Sequence, residues 1–152
     1  MRSAVVATAL SFFSVAIYAH ASSSFDNQTF DQQTINALEA KASQAQPREQ
    51  CFLYAELVHQ MTEFSLRQYA AGDVEKATGL LLQIQLFAHK IHLSISEDNK
   101  RLKNAEILLR HTAYRLNDML HSSSFEDRPL VEQTLAQVNK AQTEAMLKVF
   151  QK

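Results

Sequence analysis

Asp73 to His121 reads DVEKATGLLLQIQLFAHKIHLSISEDNKRLKNAEILLRHTAYRLNDMLH, and this stretch decides the fold. It contains no proline, and Gly79 is its single glycine. Apolar positions recur as Val74, Ala77, Leu81, Ile84, Ala88, Ile91 and Ile95, then Leu102, Ala105, Leu109, Thr112, Leu116 and Met119. Spacings of three and four are the mark of an amphipathic helix, and only Asp98 interrupts the row. Two readings follow. Ser94 with Glu97 three residues on forms a capping box, so that the chain turns near residues 95–98. Alternatively, one helix runs through the whole stretch, about 73 Å long at 1.5 Å per residue. The phase carried across the candidate turn favours the single rod. Helices average only ~11–12 residues, which favours the break. The break also gives four helices of similar length that can close on one core, and it is the expectation adopted.

Outward from this stretch the same pattern holds. The chain has two Gly and two Pro in 152 residues, too few for β architectures that need turn residues every 8–12 positions. The class is all-α, an antiparallel helical bundle of about four long helices plus a short N-terminal helix. Immediately upstream, Ala71-Gly72-Asp73 is a tight turn between helices. Gly72 suits the left-handed position that ends a helix, and Asp73 is a strong N-cap for the next. The helix before the turn runs from Pro47, which is tolerated in a first turn, to Ala71. Its apolar side is Cys51, Tyr54, Leu57, Val58, Met61, Phe64, Ser65 and Tyr69; Glu56, His59, Gln60, Glu63 and Arg67 fall on the other. A weaker helix over about Phe30–Ala45 carries Ile35, Leu38 and Ala42. The last helix spans about Asp127–Phe150, with Ser124 and Asp127 as a second capping box and Pro129 in the first turn. Its face is Val131, Leu135, Val138, Gln142, Ala145, Met146 and Val149.

The N-terminus reads as a cleavable export signal. Arg2 supplies a positive start, Ala4–Ile17 is an uncharged run of 14 residues, and Ala19-His20-Ala21 is a small-x-small cleavage site. Such a run is short of the ~20 apolar residues that span a bilayer, so removal rather than anchoring is expected. The expected organisation is a signal peptide over 1–21, a disordered lead-in over 22–29 and one helical domain over 30–152, periplasmic or secreted, with no membrane anchor after cleavage. The mature chain from Ser22 would carry 14 basic and 16 acidic residues, a net charge of −2. That balance argues against a nucleic-acid binder, which needs a basic excess. Cys51 is the sole cysteine, so no intrachain disulfide forms. Its place on an apolar stripe marks it as a small buried hydrophobe.

One feature points to a surface. Opposite the main seam of the helix after Gly72 lies a second apolar row, Leu82, Leu86, His89 and Leu93. A helix apolar on two sides must be covered on both. Either the short first helix roofs this row, or the row is an interaction face for a protein partner or a second copy.

Motifs for chemistry are incomplete. Glu56-x-x-His59 is half of a paired di-iron signature, but no other Glu has a His three positions later, and both residues project from the polar side. His89-x-x-His92 has the i, i+3 spacing by which two imidazoles meet one metal, without the further ligands of a zinc set nearby in sequence. Lys100, Arg101, Lys103, Arg110 and Arg115 are interleaved with Glu97, Glu106 and Asp118 and read as solvated surface. No phosphate-cradling glycine loop is possible with so few glycines.

Three resemblances attach to these residues. Gly72-Asp73-Val74-Glu75-Lys76-Ala77 through Ala88-His89-Lys90-Ile91-His92 resembles the last helix of small periplasmic b-type cytochromes of four-helix form. That resemblance implies His92 as an axial haem ligand with a methionine such as Met61 opposite, held without covalent attachment. Gly72-Asp73-x-x-Lys76-Ala77 has the glycine-to-alanine spacing of a tetratricopeptide unit, but the flanking helices exceed its ~34-residue repeat and no second copy exists. REQCFLYAELVH over Arg48–His59 and KRLKNAE over Lys100–Glu106 look like an uncharacterised group of exported helical proteins of acidobacteria, which implies export and helices and assigns no activity. The expectation is an exported, non-enzymatic bundle acting through protein contact, with no cofactor. A haem or metal carrier using His92 or His89 and Met61 is the alternative.

Overall fold

The computed structural model describes residues 32–96 and 98–151. The expected export signal, the lead-in and Glu97 lie outside them. Every regular element among the described residues is an α-helix: α1 (Gln32–Gln44), α2 (Pro47–Ala70), α3 (Val74–Ser94), α4 (Leu102–Ser122) and α5 (Arg128–Phe150). No described helix is long and apolar enough to cross a membrane.

The α2–α3 turn forms as its three residues dictate. Gly72 takes φ +84°; its N–H donates to Tyr69 O at 3.0 Å, and the Asp73 N–H donates to Gln68 O at 2.9 Å. This bond pair is the Schellman closure of a helix end. The Asp73 carboxylate then accepts from the Lys76 N–H at 3.2 Å, capping α3. Pro47 and Pro129 both stand in first turns, where the missing N–H has no partner to lose.

The chain breaks between Ser94 and Leu102, as expected, by a different device. Ser94 is still helical, its hydroxyl donating to Ile91 O at 2.8 Å, so it does not cap α4. Asn99, only 8% exposed, organises the turn instead. Its side-chain amide donates to Ser94 O at 3.0 Å and its Oδ1 accepts from the Ser96 N–H. The Lys100 N–H donates to Arg48 O at 2.8 Å, tying the loop to the start of α2. Arg101 caps α4 at φ +58°, a left-handed conformation that costs a non-glycine residue about 1–2 kcal/mol. Its guanidinium lies 3.5 Å from the Phe52 ring centroid, and this cation–π contact offsets part of the strain.

Consecutive long helices run antiparallel, and they pack as two hairpins, α2/α3 and α4/α5. Between hairpins the neighbours run parallel. His59 and Glu63 of α2 meet Thr112 and Arg115 of α4 in the same order, and Gln85 and His92 of α3 meet Thr134 and Glu144 of α5. The linkage from α3 to α4 therefore crosses the end of the bundle diagonally. Leu57, Met61, Leu81, Ile84, Ile91, Leu109, Leu116, Met119, Val131 and Val138 fill the interior.

The short helix corrects one expectation. α1 packs on α2 and makes no comparable contact with α3; Ile35 and Ala42 are its buried residues. With α1, α3 and α4 around it, α2 buries every residue from Cys51 to Ala55. The helix covered on several sides is α2. Cys51 is enclosed as expected, and burial pushes its thiol up to about 11, with the Ser94 side chain opposing the shift.

At the opposite end, Tyr69 stitches the hairpins together. Its hydroxyl donates to Asp127 Oδ2 at 3.0 Å and accepts from the Ser124 N–H at 2.8 Å. The Ser124–Asp127 box closes through the Ser124 hydroxyl, which donates to Asp127 Oδ2 and accepts from the Asp127 N–H. Tyr69→Phe is expected to lower unfolding stability by about 1 kcal/mol, the scale of one net hydrogen bond. An unchanged urea midpoint would remove the stitch from the account.

Candidate functional site

The outer face of α3 is the candidate site. Residues at 100° intervals put Leu82, Leu86, His89 and Leu93 on the side of α3 away from the buried row Ala77, Leu81, Ile84, Ala88 and Ile91. Leu82 is 58% exposed, Leu86 59% and Leu93 70%, and His89 is exposed as well. Scattered exposed leucines need no explanation; three aligned on one helix do. The thirteen residues Ala77–His89 carry no charged side chain, although a solvated helix face is ordinarily charged. Lys90, next to His89 in sequence, has Nζ 4.9 Å from the Phe87 ring centroid and 5.6 Å from that of Tyr54. Those rings stack at 6.0 Å along the α2–α3 seam, so the ammonium is drawn off the row.

His92 turns to the flank, toward α5, where its Nδ1 pairs with Glu144 Oε2. The His89 and His92 rings are 5.9 Å apart. The two histidines are thus neighbours, as the spacing required. Among the described residues, no three His, Cys, Asp or Glu side chains are grouped so as to hold a metal ion. The cleft at His92 is lined by Ile95, Glu144, Leu147, Lys148 and Gln151. Met61 is elsewhere, fully enclosed in the core with 0% exposure. His92 on a flank and Met61 in packed interior do not fit a haem held between them.

Glu56 and His59 are not a solvated pair. Both are half-buried, and His59 Nδ1 lies 3.1 Å from Thr112 Oγ1 across the α2–α4 seam. The Thr112 hydroxyl hydrogen is committed to Leu108 O, so Nδ1 carries the hydrogen and donates. Beside it, Arg115 forks onto Glu63, Nε to Oε1 at 2.7 Å and Nη2 to Oε2 at 3.2 Å. That fork is the leading reason the Arg115 guanidinium is held deeper in its charged range. Arg115, read from sequence as solvated, is therefore a tie between helices.

Burial lowers the His59 pKa from 6.5; Glu63 opposes the shift, while His111 and Arg115 add to it. The folded state thus binds a proton less readily than the unfolded chain. Stability from His59 is fully present above pH 6.5 and is lost as pH falls through the lowered folded value. His59→Gln is expected to flatten the fall in stability over the window that opens as pH drops below 6.5. An unchanged slope in that window would show that other groups produce it.

Sequence reasoning missed the enclosure of α2 and the Asn99 turn. A signal for the first was present: CFLYAELV over Cys51–Val58 has seven apolar residues in eight, too many for a helix with one wet side. For the second, a buried Asn in a polar loop leaves no distinctive pattern.

No family model, curated protein or solved structure matches this chain.

Proposed function

We propose that this chain is an exported helical-bundle protein that works by protein contact rather than catalysis, with the outer face of α3 as its contact surface. One observation carries the reading: an aligned, uncharged row of three exposed leucines on a helix whose other side is fully packed. The N-terminal pattern of Arg2, the uncharged run and Ala19-His20-Ala21 supports export, with processing before Ser22.

A photo-crosslinking residue at position 86 in expressing cells tests the contact, with position 137 on exposed α5 as control. Adducts at 86 and not at 137 are expected. Equal labelling at both positions, or none at 86, would sink the contact reading. Mass spectrometry of the exported chain tests the rest: it should begin at Ser22, and an unprocessed chain retained inside the cell would refute export.

A further inference from the structure

We infer that the partner on the α3 face is a second copy of this chain, lying antiparallel across a two-fold axis between Leu86 and His89. This inference rests on the contact reading above and deepens it. An isologous interface demands that a patch complement its own reversed image. The row Leu82, Leu86, His89, Leu93 has spacings of four, three and four, which read the same in both directions. Antiparallel copies therefore set Leu82 against the other copy's Leu93, and Leu86 against its His89, at all four positions. A parallel pairing would set imidazole on imidazole and align the helix dipoles; the antiparallel one avoids both.

Charge supports the same occupant. In a surface that meets itself, charges close to the two-fold axis face their own copies, and the strip Ala77–His89 that contains the axis has none. Lys90, the cation next to the row, is held over the Tyr54 and Phe87 rings of its own subunit. The row is about 16 Å long at 1.5 Å per residue. A contact of that length is short for an obligate dimer and suits a reversible one, to be sought at micromolar to submillimolar concentrations.

Sedimentation equilibrium of the mature chain, from about 5 to about 500 µM, brackets that range. A mass rising toward twice the monomer is expected. Leu86→Glu should weaken dimerisation at least about tenfold, and Leu93→Glu likewise. His89→Leu, which completes the leucine row, should tighten it about tenfold. All three residues are exposed, so helicity by circular dichroism should stay unchanged and confirms folding. A monomer throughout the range overturns the dimer, as does a dimer indifferent to both glutamate variants. The position-86 crosslink separates this failure from failure of the contact reading. An adduct of twice the chain mass supports the dimer; an adduct only with another protein overturns it and leaves the contact reading standing.

Discussion

Met61→Ala is expected to lower the unfolding free energy by about 3 kcal/mol, while Met61→Leu costs less than about 1.5 kcal/mol. Met61 is fully enclosed in the middle of α2, the helix that α1, α3 and α4 surround. Truncation to alanine loses the transfer energy of the thioether chain and leaves a cavity that the packed surroundings fill only in part. Leucine keeps most of the volume, so only repacking strain remains. Urea unfolding of both variants measures the difference, with the slope against denaturant unchanged if the native state stays compact. Equal losses from leucine and alanine would overturn the packing role.

Ala42→Asp is expected to cost about 2–3 kcal/mol and to release α1 before the rest of the molecule unfolds. Ala42 and Ile35 are seven residues apart on the buried side of α1, at 0% and 1% exposure. A carboxylate at position 42 either enters an apolar seam unpaired or forces the helix away. The second course limits the loss to the docking energy of α1, chiefly the burial of Ile35 at about 1.5–3 kcal/mol with smaller terms from Ala42 and Leu38. Lys41 lines one cleft with Phe52 and Leu53, so detachment exposes apolar surface on α2. Limited proteolysis should cut within Gln32–Gln44 first, leaving a helical core. Global unfolding in one step, with no early cleavage, would show that α1 is fused to the bundle more tightly than its single neighbour implies.

The histidines show where sequence reading stops. His89 and His92 were legible as neighbours because both sit on one helix, and their ring separation follows from the i, i+3 spacing. Glu144, the partner of His92, is 52 positions away, and no local pattern links the two. Arg115 likewise reads as solvated beside Asp118, yet its fork closes on Glu63 across the α2–α4 seam. A charged residue on a helix flank is worded identically whether it meets water or a neighbouring helix. The exposed row on α3 was legible as apolar; whether α1 roofed it was not.

By itself the sequence determined helicity and the ends of elements at the Gly72–Asp73 turn and the two prolines. Three-and-four spacing sets which side of each rod is apolar, and Gly72, Asp73, Pro47 and Pro129 act through their own backbone torsions and hydrogen-bonding groups, within a few residues. Only the tertiary structure decided which rods meet: α1 on α2 rather than α3, α3 beside α5 and diagonal to α4, and α3 left with an apolar face in water. The reason is that hydrophobic burial is non-directional. An apolar stripe states that it must be covered, and the three-dimensional arrangement alone states by what.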